Sequence, residues 1–243
     1  MYAPGALSRL ILCLLLIWFS VPDSAASPRV FYLIPGLGAD ERVFKYLLPL
    51  LEGEAHVLTW PQPAPTETLP HYVARMAEAV PPAQPCLVVG VSFGGVVALE
   101  IARLRPHARA VLVSSIPDAD SLPRLLRLIR ATGVYKLVPP QLLKLFPRAG
   151  QWYFGVQNGE EYQTFKQILR DMEPRYTRWA IDRLLHWDST NVGSSIQILG
   201  SHDRVFPPGP APVDHLIPGG THFMVLSHAP EISRILNALP LNN

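Results

Sequence analysis

Between Arg29 and Ser114 the sequence switches repeatedly between short apolar runs and stretches with helical periodicity. The runs Arg29–Ile34 (RVFYLI), Ala55–Trp60 (AHVLTW), Cys86–Val91 (CLVVGV) and Ala108–Ser114 (ARAVLVS) read as strands. Helical patterns fall between them, at about 41–51, 69–79 and 93–104. Strands that alternate with helices imply a mostly parallel sheet covered on both faces, an α/β fold. Few other architectures accept this order.

The alternation then stops. Ile116 to Thr190 holds no convincing strand but several helical patterns, at Leu122–Ala131, Gln141–Phe146, Glu160–Asp171 and Arg175–His186. Strand-like runs resume at 194–199 (SSIQIL) and 213–217 (VDHLI), and a last helix is expected over 230–239. A stretch this long exceeds an ordinary connection. It is expected to be a helical lid, about residues 116–190, over the carboxyl ends of the strands, where open α/β sheets bind ligands.

Charged residues make up 16 % and hydrophobic residues 49 %, which fits a packed core and argues against disorder. The 26 prolines punctuate loops and form no repeat. A net charge of +2 makes no case for nucleic acid. Residues 1–26 have the pattern of a signal peptide: Arg9, an apolar run from Leu10 to Val21, then small residues at Ser24-Ala25-Ala26. The expectation is an exported protein, periplasmic or secreted, whose mature domain spans 27–243. An uncleaved N-terminal anchor is the alternative. Cys13 lies in that run, which leaves Cys86 unpaired and suited to buried packing.

The strongest chemical signal is Gly90-Val91-Ser92-Phe93-Gly94-Gly95, a G-x-S-x-G pattern between an expected strand and an expected helix. A sharp strand-to-helix turn would hold the Ser92 hydroxyl out at the top of the sheet, with glycines on both sides to avoid collision. A serine hydroxyl needs a base to act as a nucleophile. His222, in the glycine-rich segment Gly219–Phe223 after the last strand, is the candidate. Asp203, in Gly200–Arg204 after the strand SSIQIL, is the candidate acid, and Asp118 and the weaker Asp120 are rivals. The loop Pro35-Gly36-Leu37-Gly38-Ala39-Asp40 follows the first strand. The backbone N–H groups of Leu37 and Phe93 are the candidate oxyanion donors.

Gly90–Gly95, Gly200–Asp203 and Gly219–Phe223 resemble the three active-site segments of α/β hydrolases, and Pro35–Gly38 resembles their oxyanion loop. The resemblance runs from about Arg29 to Leu239, the insertion apart. It implies an α/β-hydrolase fold and acyl-enzyme chemistry on esters or thioesters, with Ser92, Asp203 and His222 as the catalytic residues. Two departures stand out. Pro35-Gly36 replaces the His-Gly pair common in relatives, and little chain precedes the first strand, which implies a trimmed sheet. No metal-ligand spacing or phosphate loop is present, so the expected chemistry uses no cofactor and no metal. A small-molecule substrate with an apolar acyl group would fit beneath a leucine-rich insertion carrying Trp152, Tyr153, Phe154, Trp179 and Trp187, although burial in the insertion's own core is the simpler fate of those side chains. Arg124, Arg127, Arg130, Lys136, Lys144 and Arg148 make this region basic, either as a solvated face or as one that contacts a membrane. A lyase or acyltransferase on the same fold, or a binding protein for a small ligand, are the alternatives to hydrolysis.

Overall fold

The computed structural model describes residues 29–157, 159–190 and 195–241. The stretch read as a signal peptide lies outside them. Six strands form one sheet: β1 (Val30–Ile34), β2 (Glu54–Val57), β3 (Cys86–Val91), β4 (Ala108–Val113), β5 (Ser195–Gly200) and β6 (His215–Ile217). Their order is β2-β1-β3-β4-β5-β6, and every pairing is parallel. The helices are α1 (Leu69–Ala77), α2 (Phe93–Leu104), α3 (Arg124–Thr132), α4 (Pro147–Phe154), α5 (Gly159–Asp171), α6 (Pro174–Leu185), α7 (Met224–Ser227) and α8 (Ala229–Ala238).

The central strands β1 and β3 show no polar alternation because both faces of the sheet are covered there, whereas the edge strand β2 alternates exposed Glu54 and His56 with half-buried Ala55 and Val57. Tyr32, Ile34, Val88 and Leu112 pack with α1 and α2 on one side. Phe31, Leu33, Val89 and Val113 pack with α8 on the other. Cys86 is buried as a free thiol in the first of these layers, and burial pushes its pKa up to about 11. It packs as a small apolar residue.

The strand order reverses between β1 and β3, so the loops that leave their carboxyl ends part in opposite directions. A crevice at such a point is where α/β sheets place ligands. The Pro35–Asp40 loop and Ser92 both sit there.

The α/β reading of the sequence holds, with local differences. The helix expected at 41–51 is two 3₁₀ turns, Glu41–Phe44 and Leu48–Leu50. Pro49 explains this, since it supplies no N–H and its ring would strike the carbonyl four residues earlier. The stretch at 141–146 is likewise a 3₁₀ turn, Pro140–Leu145. The sequence did not signal α4. Its Pro147 occupies the first turn, where a missing N–H costs nothing. The second strand ends at Val57, which frees Trp60 to turn back toward the loop after β1. Among the described residues no helix is long and apolar enough to cross a membrane.

Candidate active site

β3 ends at Val91 and α2 begins at Phe93, so Ser92 alone reverses the chain. Its φ of 55° and ψ of −121° are costly for a residue with a side chain, on the order of 1–3 kcal/mol. Three hydrogen bonds hold it there. The Ser92 N–H donates to Val113 O at 3.0 Å, and Ser92 O accepts from the Gly95 N–H at 2.9 Å and from the Ser115 hydroxyl at 2.6 Å. The flanking glycines are sterically required. A Cβ on Gly90 would lie 2.1 Å from Gly94 O, and one on Gly94 would lie 2.4 Å from Pro35 O. Gly95 leaves the room that Ser115 fills.

Asp203 and His222 reach Ser92 from two neighbouring loops. Gly200 and Gly220 bring these loops into backbone contact, since a Cβ on Gly200 would sit 2.3 Å from Gly220 O. The His202 N–H then donates to Gly220 O at 2.8 Å. His222 Nδ1 lies 2.9 Å from Asp203 Oδ2, and His222 Nε2 lies 3.0 Å from Ser92 Oγ. A carboxylate only accepts, so the imidazole proton belongs on Nδ1. That leaves the Nε2 lone pair to accept from the Ser92 hydroxyl. Asp203 is itself anchored, because its Oδ1 accepts from the Val205 and Phe206 N–H groups at 2.8 and 2.9 Å. The His222 and Asp203 side chains are only 5 % and 0 % exposed, which strengthens their attraction relative to a pair in water.

The rival acids lie elsewhere. Asp118 Oδ1 accepts from the Ser121 N–H in a turn, and Asp120 is exposed. Of the other described histidines, His56 stacks on Tyr32, His71 meets Glu67, His186 meets Asp182, His228 meets Ser227, His215 lies in β6, and His107 and His202 are exposed.

The loop after β1 closes over the same spot. A Cβ on Gly36 would come within 3.6 Å of Ser92 Cβ. Gly36 O accepts from the Ala39 N–H at 3.0 Å and from the Trp60 indole N–H at 3.1 Å. Leu37 is the next residue. Phe93 opens α2, so its N–H precedes the first intrahelical acceptor. The sequence-predicted residues Leu37, Ser92, Phe93, Asp203 and His222 thus converge at the ends of β1, β3, β5 and β6.

The helical insertion covers this region. Gly38 abuts Met172, and Thr221 Oγ1 donates to Gly155 O at 2.9 Å. Phe154 and Phe206 flank the His222 ring, with centroids 5.6 and 5.5 Å away. Trp179 and Trp187 are core residues, whereas Trp152 is exposed. A cavity of about 800 Å³ opens behind Asp203 and Thr221 and is not lined by Ser92. Phe154 is among the aromatic residues noted in the insertion, but sequence reasoning missed Trp60, Ser115 and Phe206. Their roles depend on packing between distant segments, and no local motif marks them.

Residues 31–235 match the model of the alpha/beta hydrolase family. The chain belongs to that family. Solved structures agree on the fold. A hydrolase from Pseudomonas aeruginosa superposes with a TM-score of 0.65 at 12 % identity, over 88 % of this chain and 90 % of that one. A thermophilic esterase from Thermogutta terrifontis gives 0.61 at 14 % identity, over 86 % and 88 %. A structure from a study of carboxylesterases in Nitrososphaera gargenis gives 0.61 at 16 % identity, over 86 % and 89 %. Comparison with curated protein sequences finds no match. The six-stranded sheet keeps the parallel part of the α/β-hydrolase architecture, and no antiparallel pairing occurs among the described residues.

Proposed function

We propose that the protein is a serine hydrolase that cleaves a carboxylic ester or thioester through an acyl-enzyme on Ser92. The observation that carries this reading is the continuous hydrogen-bonded line Asp203–His222–Ser92 on a strained strand-to-helix turn. In this mechanism Ser92 Oγ attacks the substrate carbonyl carbon as its proton passes to His222 Nε2. The N–H groups of Leu37 and Phe93 stabilise the oxyanion, and Asp203 stabilises the imidazolium. His222 then protonates the leaving alcohol or thiol. Water, deprotonated by the same imidazole, releases the acid and restores Ser92. The aromatic rings beside His222 favour an apolar acyl group. The apolar run and small residues ahead of Ser27 support a site of action outside the cytoplasm.

The test is covalent labelling with a fluorophosphonate, followed by peptide mass spectrometry. The adduct is expected on Ser92, absent from Ser92→Ala and formed far more slowly in His222→Ala. A folded wild-type protein that stays unlabelled would overturn the assignment. Product analysis in water then separates hydrolysis from acyl transfer.

Trp60 should position the oxyanion donor. The Gly36–Leu37 peptide is trans, so its C=O and N–H point in opposite directions. Holding Gly36 O with the Trp60 indole therefore aims the Leu37 N–H. Trp60→Phe keeps an aromatic ring against Phe93 and Tyr176 but removes the donor. Its kcat should fall about tenfold or more with KM little changed. An unchanged kcat, or a rise in KM alone, would show that Trp60 only packs.

A further inference from the structure

We propose that the outer face of the helical insertion docks onto an anionic lipid bilayer. Nine of the thirteen large apolar side chains exposed among the described residues lie between Leu125 and Trp152. Several are far too open to be core: Leu137 is 82 % exposed, Leu145 67 %, Trp152 65 % and Phe146 64 %. Single exposed apolar residues are ordinary, but this concentration in one segment is not.

The same segment is cationic. No Asp or Glu occurs between Asp120 and Glu160, whereas Arg124, Arg127, Arg130, Lys136, Lys144 and Arg148 do, which gives +6. The whole chain carries only +2, so the remainder sums to −4. None of these six pairs with a carboxylate among the described residues. Along α3 the two properties share one side. Arg124, Leu125, Arg127 and Leu128 are exposed, while Leu126 and Ile129 face inward, half-buried.

Charge decides the occupant. A second copy docked through this face would set +6 against +6. A nucleic acid would leave the leucines and Phe146 without apolar partners. An anionic bilayer satisfies both properties at once, because lipid phosphates meet the cations while the apolar side chains enter the acyl boundary. Each such cation near an anionic surface strengthens binding about fivefold.

Flotation of the full chain with phosphatidylcholine vesicles and with mixed phosphatidylcholine–phosphatidylglycerol vesicles tests this. The protein is expected to float with the mixed vesicles and to be released from them by high salt. Arg124→Gln with Arg127→Gln should weaken binding about 30-fold. Leu137→Ser with Phe146→Ser should weaken it at any salt concentration. All four residues are exposed, so folding should be retained, as circular dichroism would verify. Absence of binding would overturn the proposal. So would equal binding to both vesicle types that neither variant changes, since the N-terminal apolar run would then carry the contact. Weakened self-association of the variants, without vesicle binding by wild type, would assign the face to a dimer instead.

Discussion

Asp203→Asn is expected to lower kcat for a p-nitrophenyl ester about ten-thousand-fold while leaving the melting temperature nearly unchanged. The substitution preserves shape. The Asn carbonyl oxygen can still accept from the Val205 and Phe206 N–H groups that now bond Asp203 Oδ1. Its amide nitrogen then takes the place of Oδ2, 2.9 Å from His222 Nδ1. That nitrogen donates, so Nδ1 must accept, and the imidazole proton moves to Nε2. The ring then presents an N–H to Ser92 Oγ where it had presented a lone pair, and no base remains in contact with the hydroxyl. A negative charge beside the forming imidazolium is lost as well. Steady-state kinetics and a thermal melt on the same preparation check both halves of this expectation. A kcat within tenfold of the native value would mean that another group orients His222, and the acid assignment would fail.

The second large effect concerns stability. Gly90→Ala should destabilise the fold by on the order of 4 kcal/mol, with a melting temperature lower by about 10 °C. The new methyl would sit 2.1 Å from Gly94 O and 2.4 Å from Gly95 N. Both are backbone atoms at the start of α2, so no side chain can swing aside. Relief requires moving α2 away from β3, and the buried residues Val96, Val97 and Ile101 leave no space for that. A melt within about 3 °C of wild type would show that the turn is more yielding than its contacts imply. The two variants therefore divide the site's requirements. One leaves the scaffold standing and removes the chemistry, and the other strikes the scaffold itself.

Much of this architecture is legible in the sequence. Parallel strands buried on both faces leave continuous apolar runs, and the β3–Ser92–α2 turn leaves glycines at fixed offsets. Both signals are local. Asp203 and His222 could be nominated from chain order, because each follows a strand in a glycine-bearing loop. Their pairing rests on the Gly200–Gly220 contact, which no local pattern announces. The least legible part was the insertion. Its α4 hides behind Pro147 and Gly150, and its leucines serve two opposed ends. Leu185 is buried, while Leu137 and Leu145 face solvent. Composition alone cannot separate the two. Trp60 shows the same limit from the other side. It read as the end of a strand, yet its indole works on the backbone of a loop 24 residues earlier.

The end of α4 is tied to the histidine loop at two points, by the Phe223 N–H donating to Phe154 O at 3.2 Å and by Thr221 Oγ1 donating to Gly155 O. This fastening makes the insertion a poor unit for exchange. A chimera that grafts a relative's insertion between β4 and β5 would import a new neighbour for His222 along with any new specificity. The imidazole's alignment would be inherited from the donor segment, not from the recipient sheet. Specificity engineering in this protein is therefore better directed at α6, whose Trp179 meets the Phe93 ring, with residues 153–156 retained as the splint that keeps His222 in line.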